Sequence, residues 1–269
     1  IQQRKKLFQL LGMRNPYFRF KQFTIRHDKC AMKVGTDGVL LGAWAQIDDT
    51  AAAASTCRIL DIGTGSGLIA LMLAQRYKNA IIEGIDIDKA SVKQAIENAA
   101  EADMGNRVTI SMRDFSAPLP DTEATATPGT KAATGCMMAC KYDLIVSNPP
   151  FFVEETLGGN TARDNARHCS SLPFGTLVAN ASNMLKTNGR LAVIVPHSSA
   201  TTFICLCAEH NLYLVRRTNI RATEKKDFNR VLLEFSRKIA ATETDTLTLY
   251  DDKNNRSDEY DKLTCEFYL

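Results

Sequence analysis

Two short segments carry residue types that could do chemistry together. Asn148-Pro149-Pro150-Phe151 follows the apolar run Tyr142-Asp143-Leu144-Ile145-Val146-Ser147, and Asp61-Ile62-Gly63-Thr64-Gly65-Ser66-Gly67 ends the run that opens at Cys57. Asn148 offers a side-chain carbonyl and Pro149 a backbone carbonyl. Two such acceptors suit the N–H groups of an amine whose lone pair is delocalised into a ring, because they draw the nitrogen towards a tetrahedral, attack-ready state. Proline lacks an amide hydrogen and has a fixed φ, so Pro149 and Pro150 hold that carbonyl stiffly. Phe151 supplies a flat face for the ring, a contact worth about 1–3 kcal/mol in nucleic-acid sites.

The glycine segment reads as a ligand cradle. Gly63, Gly65 and Gly67 admit a ligand where any side chain would collide. In open α/β sheets, ligands sit beyond the carboxyl ends of the strands, where the strand order reverses. Gly65-Ser66-Gly67-Leu68-Ile69-Ala70 also fits a dinucleotide fingerprint. However, the Asp61 carboxylate would repel a pyrophosphate and suits an ammonium instead, directly or through water. Asp86 ends the next apolar run and can accept from a ribose diol. Asp88 is a near alternative for that role. Ile87 can pack on an adenine face. Asp114 either accepts an adenine amino group or caps a turn.

These segments need a scaffold. Tyr17 to Arg26 alternates as a strand or hairpin, and Val39–Ala45 reads as a short helix. Strands follow over 57–61, 80–86, 107–112, 142–147, 191–196, 212–220 and 230–237, with helices over 68–77, 89–102, 174–186 and 199–210 between them. This alternation predicts a doubly wound, mostly parallel α/β sheet of seven strands with helices on both faces. Residues 1–50 form a basic N-terminal extension on a domain spanning 51–269. Within that domain, the Ala/Thr/Pro-rich stretch 116–140 reads as a flexible insertion. The acidic tail from Glu243 ends in Phe267-Tyr268-Leu269, apolar enough to pack back on the body.

With 269 residues and 45% apolar composition, one cored domain is the natural size class. No apolar stretch reaches the roughly 18 residues of a membrane helix, and the apolar part of Arg4–Leu11 is too short for a signal peptide. Eight scattered cysteines without paired Cys-x-x-Cys motifs disfavour zinc and disulfides and fit a reducing cytoplasm. The net charge of +3 is uneven: residues 1–33 carry +8 and the remainder −5. Basic residues alternating with Phe18, Phe20, Phe23 and Ile25 predict a folded arm that contacts phosphates through Arg4, Lys5, Lys6, Arg19, Lys21 or Arg26. Should the arm be only a solvated tail, the substrate surface would lie elsewhere, around Arg163, Arg167 and Lys225.

The segments Asp61–Gly67 and Asn148–Phe151 resemble motifs I and IV of class I S-adenosylmethionine-dependent amino-methyltransferases. The stretch from Phe23 to Trp44, with the Phe267-Tyr268-Leu269 ending, is similar to the bacterial tRNA1(Val) adenine-N6-methyltransferase family. That resemblance implies a Rossmann-like class I fold, S-adenosyl-L-methionine as cofactor, and methylation of the adenine that follows the anticodon. It implies a monomer acting on tRNA, with no metal and no membrane. It further implies that Lys33, Thr36 and Asp37 close over the methionine part of the donor. A guanine-N2 RNA methyltransferase, which resembles the Asn-Pro-Pro-Phe pattern, and a protein glutamine-N5 methyltransferase, whose acceptor is a planar amide, stay open. So do a nicotinamide-dependent oxidoreductase using Gly65–Ala70 and an inactive RNA-binding module.

Overall fold

A computed structural model describes residues 15–30, 33–48, 56–117, 141–150 and 172–269. The Ala/Thr-rich stretch beyond residue 117, Phe151, Arg163, Arg167 and the first fourteen residues therefore lie outside the described residues. The chain opens with a hairpin, β1 (Tyr17–Arg19) and β2 (Thr24–Arg26), followed by α1 (Thr36–Trp44). The core runs β3 (Arg58–Ile62), α2 (Leu68–Arg76), β4 (Ile81–Asp86), α3 (Lys89–Glu101), β5 (Val108–Met112) and β6 (Tyr142–Ser147). It continues with α4 (Phe174–Met184), β7 (Leu185–Pro196), α5 (Ala200–Glu209), β8 (Tyr213–Arg221), β9 (Arg230–Ser236), β10 (Glu243–Thr248) and α6 (Asp258–Thr264).

The core strands form one sheet in the order β10-β8-β9-β7-β6-β3-β4-β5. All are parallel except β9, which is antiparallel to both β7 and β8. The sheet is mostly parallel, as expected, but has eight strands, not seven. The addition is β10, drawn from the stretch that reads as an acidic tail. Its alternating Glu-Thr-Asp-Thr has one apolar anchor, Leu247, because it lies on the outer edge of the sheet.

Period-two alternation divides the apolar side chains between two layers. Ile59, Leu144, Val146, Ala192 and Ile194 face α1, α2 and α6, whereas Leu60, Ile62, Ile145, Leu191, Val193 and Val195 face α4 and α5. Helix α2 is buried nearly all round, so its apolar run has no polar stripe. Chain order reverses between β3 and β6, which opens a crevice at their carboxyl ends.

The N-terminal hairpin is welded to this body. Phe20, Phe23 and Ile25 are buried in the core. Lys21 donates its backbone N–H to Phe267 O, and Tyr268 stacks on Phe20. Asn98 of α3 accepts the Arg26 N–H and donates to Arg26 O and Ser66 O. One buried amide thus joins the hairpin, α3 and the glycine turn. Arg26 pairs with Glu101 and Lys29 with Glu97, so part of the arm's positive charge is already matched by acid. Glu101 lies thirteen residues along α3 from Asp88, about 20 Å at the helical rise. Arg26 is therefore far from the crevice, and its expected phosphate contact has a competing carboxylate.

Replacing Asn98 with Ala leaves two backbone carbonyls and one N–H without their partner. We expect a loss of about 1–3 kcal/mol for each buried group left unsatisfied, read as a lower urea midpoint.

Candidate functional site

The crevice holds a cleft of about 240 Å³ lined by Gly63, Gly65, Asp86, Ile87, Asp114, Phe115, Asn148, Pro149 and Pro150, among others. Residues from β3, β4, β5 and β6 therefore meet at one place, because their parallel strands end on the same edge.

The glycines divide the work. Gly63 and Gly65 adopt positive φ, and a Cβ at either would meet open cleft, apart from one backbone oxygen 4.0 Å from that of Gly65. They leave room for a ligand. Gly67 also has positive φ, but its Cβ would press on Ala95 Cβ at 3.2 Å. It packs α2 against α3 and does not line the cleft.

Asp61 is fully buried. Its Oδ2 accepts from Thr64 Oγ1 at 2.7 Å and from the Ala70 N–H at 3.1 Å, while Oδ1 has no hydrogen-bond partner among the described residues. Burial pushes its carboxyl up to about 7, against the lowering by those two donors. Asp61 stands behind the glycine turn, not on the cleft wall, so any cation it serves must meet the orphaned Oδ1. The Ala70 N–H at the start of α2 is spent on Asp61. The turn is thus poorly set for a pyrophosphate, which would need those free amides.

Asp86 projects into the cleft, fixed by the Gly65 N–H on Oδ2 at 2.8 Å and the Asp88 N–H on Oδ1 at 2.9 Å. Each oxygen keeps a further acceptor position. Asp88 instead caps α3, taking both the N–H and the hydroxyl of Ser91 on Oδ2, which lowers its pKa. Ile87 is 53% exposed, a large apolar side chain standing in the mouth of the cleft. Asp114 forms a turn in which Oδ1 accepts from the Ser116 hydroxyl and N–H, lowering its pKa.

Lys33, Thr36 and Asp37 are not part of the cleft lining. Asp37 forms an ion pair with Arg230 at 2.9 Å, which ties the start of α1 to the start of β9. At the end of β6, Ser147 Oγ donates to Ile62 O, locking the two strand ends together. Just beyond, the Asn148 Oδ1 is buried without a hydrogen-bond partner among the described residues, while Pro149 and Pro150 continue the wall.

Sequence reasoning missed Thr64, Gly84 and Phe115. Thr64 bridges to Asp61 and tucks over Gly84, where a Cβ would lie 2.9 Å from Thr64 Oγ1 and 2.6 Å from Ile110 Cδ1. The glycine inside an otherwise apolar strand was the available signal, since it marks a close approach. Phe115 carries no such signal and is placed only by tertiary packing.

The donor set fits S-adenosylmethionine: open space over two glycines, a fixed carboxylate able to accept from a diol, an exposed apolar face and a buried carboxylate oxygen without a partner among the described residues. Asp88→Ala should cost about 1 kcal/mol of stability through loss of the helix cap and leave S-adenosylhomocysteine affinity unchanged. Asp86→Ala should weaken that affinity by about 1–3 kcal/mol, measured by calorimetry. An affinity loss in Asp88→Ala alone would reverse the two roles.

A family model described as a methyltransferase domain matches residues 53–241. The chain is 38% identical over 260 residues to the tRNA1(Val) (adenine(37)-N6)-methyltransferase of Christiangramia forsetii, covering 96% of this chain and 99% of that one. It is 39% identical over 257 residues to the protein of the same name from Aeromonas hydrophila, covering 95% and 98%. A solved structure from Agrobacterium tumefaciens, described as a predicted O-methyltransferase, superposes with a TM-score of 0.61 at 18% identity over 86% of this chain and 96% of that one. The fold is that of a class I S-adenosylmethionine-dependent methyltransferase, and the chain belongs to the tRNA1(Val) (adenine(37)-N6)-methyltransferase family.

Proposed function

We propose that the protein methylates the exocyclic N6 of adenine 37 in tRNA1(Val), acting as a monomer. The observation that carries this reading is the buried Oδ1 of Asn148, without a hydrogen-bond partner among the described residues, with Pro149 next to it on the wall of a cleft shaped for the donor. A buried acceptor left unsatisfied costs about 1–3 kcal/mol. A substrate N–H removes that cost only when it arrives.

S-adenosylmethionine supplies a methyl group on a sulfonium, already activated for transfer. The protein's own work is placement. Asp86 accepts from the ribose hydroxyls and Ile87 covers the adenine ring of the donor. Asn148 Oδ1 and the Pro149 carbonyl accept the two N–H groups of the target amine. Bonding to both draws its lone pair out of conjugation and towards the methyl. No strong base is required, because the methylated nitrogen is briefly cationic and sheds a proton readily. Phe151, outside the described residues, would stack on the target ring. Lys33 lies just before α1 and Thr36 opens it, and the family resemblance implies that both close over the donor's methionine end.

Asn148→Ala should abolish turnover and leave S-adenosylhomocysteine affinity nearly intact. Equal losses in both would indicate a collapsed pocket instead. Nucleoside mass spectrometry of tRNA1(Val) from a deletion strain should lack N6-methyladenosine at position 37. Its persistence, or the loss of a methylguanine in its place, would overturn the reading. The Asp61 carboxyl near 7 adds a pH signature, because only the ionised form attracts the donor ammonium. Donor affinity should rise as pH climbs towards about 7, by at most about tenfold per unit, then level off. Asp61→Asn should flatten that rise.

A further inference from the structure

The carboxyl edge of the sheet continues past the acceptor site. Strands β6, β7 and β8 run parallel, so His197 after β7, the end of β8 and the turn from β8 to β9 share one rim with Asn148. On that rim four partly exposed side chains form a row. Arg217 Nη2 lies 3.3 Å from His197 Nε2, the His197 and Phe228 rings are 5.5 Å apart, and the Arg221 guanidinium sits 5.7 Å from the Phe228 ring.

The row is built and not merely crowded. Arg217 and Arg221 alternate with Thr218 and Ile220 along β8, so they share a face opposite the buried Trp44–Thr218 bond. His197 is pinned by its backbone N–H to Asn229 O, and Asn229 by its N–H to Ile220 O. Asn219 Oδ1 accepts from Arg217 Nε at 2.9 Å, which sets the plane of that guanidinium. Among the described residues, neither Arg217 nor Lys226 makes an ion pair. Arg221 donates to Thr248 Oγ1 at 2.9 Å and to Glu224 O at 3.1 Å, and among the described residues its one carboxylate is that of Glu224 at 4.0 Å, itself 81% exposed on the side chain. Lys225 and Arg230 are paired with Asp252 and Asp37, and Asp227 adds a further acid to the turn. Among the described residues, the guanidiniums that flank the rings are therefore held by neutral acceptors, with no carboxylate closer than 4.0 Å to offset their charge.

The row also lies at a useful distance. Ser147 pairs with Val193, so His197 stands about three residues forward of Asn148 and one strand across. That is about 10 Å along the strands and about 5 Å between them. The end of β8 lies two strands further along. An enzyme that reacts at a base must take the target out of its stack, which deprives the neighbouring base of a partner. Rings and guanidinium planes are the surfaces on which unstacked RNA bases settle.

We propose that Arg217, His197, Phe228 and Arg221 form the docking surface for an unpaired RNA nucleotide next to the one methylated. Its base stacks on the His197–Phe228 rings, and its phosphate meets the two guanidiniums. This rests on the RNA-methylating reading above and deepens it by naming where the substrate's flank sits.

The test uses the full chain with an unmodified tRNA1(Val) transcript. Phe228→Leu keeps apolar packing but removes the ring face, and should raise the RNA KM about tenfold or more. Phe228→Trp should keep it near wild type, and S-adenosylhomocysteine affinity should be unchanged in both. The double substitution Arg217→Gln, Arg221→Gln should flatten the salt dependence of RNA binding by about 0.7 in log–log slope for each phosphate that is no longer neutralised. Wild-type KM in Phe228→Leu with an unaltered slope in the double variant overturns the docking surface and leaves the methylation reading standing. A wild-type enzyme that leaves the transcript unmethylated overturns both.

Discussion

The donor side of this enzyme hangs on one buried carboxylate. Asp61 sits at the end of β3, where it accepts from the side chain of the turn that follows and from the backbone of the helix beyond. A charge-capable group with no exposure is costly unless it is hydrogen-bonded. Here those bonds set the path of the chain: strand, glycine turn and helix are stitched to one atom, Oδ2. The second atom, Oδ1, has no partner among the described residues, so the stitch that shapes the cradle also leaves an acceptor for a cation. Gly84 completes the arrangement by leaving space for Thr64, and Asp86 holds the turn from the other side through the Gly65 N–H.

A second tier of buried charge fixes the N-terminal segment on the far half of the sheet. Glu234 of β9, fully buried, pairs with Arg190 and Arg216, and the Arg216 guanidinium lies 3.6 Å from the centre of the Trp44 ring. Removing Glu234 would leave Arg216 without its carboxylate and Arg190 with Asp48 alone. With Asn98 on the opposite side, the segment from the hairpin to α1 is held at both ends. The ion pair from Asp37 to Arg230 then links it to the rim beside the acceptor site.

Much of this is legible in the residues. The glycine turn, Asp86 and Asn148 can be placed at strand ends because apolar runs followed by Gly, Asp or Asn-Pro mark where parallel strands stop. Gly63 and Gly65 stand over open cleft, as a ligand cradle requires. Gly67 does not, because sequence shows only that a side chain is forbidden, not whether a ligand or a neighbouring helix forbids it. The choice between Asp86 and Asp88 needs the Ser91 bonds, which depend on where α3 begins. Strand β10 escapes a reading of periodicity because an edge strand, paired on one side and washed on the other, has little apolar signal. Alternation in the basic arm marks a folded strand, but charge counting cannot foresee that α3 brings Glu97 and Glu101 to meet it.

The bond from Lys21 N–H to Phe267 O joins residues separated by nearly the whole described chain. Contacts of such sequence separation pay their loop-closure entropy before they return any energy, and they form slowly. The hairpin therefore cannot complete its docking until the segment that carries Phe267 is in place. During synthesis the apolar side chains of Phe20, Phe23 and Ile25 are made well before α6, whose residues share their core. In a newly made chain that interval is when this sticky N-terminal strand pair is most exposed to misassembly.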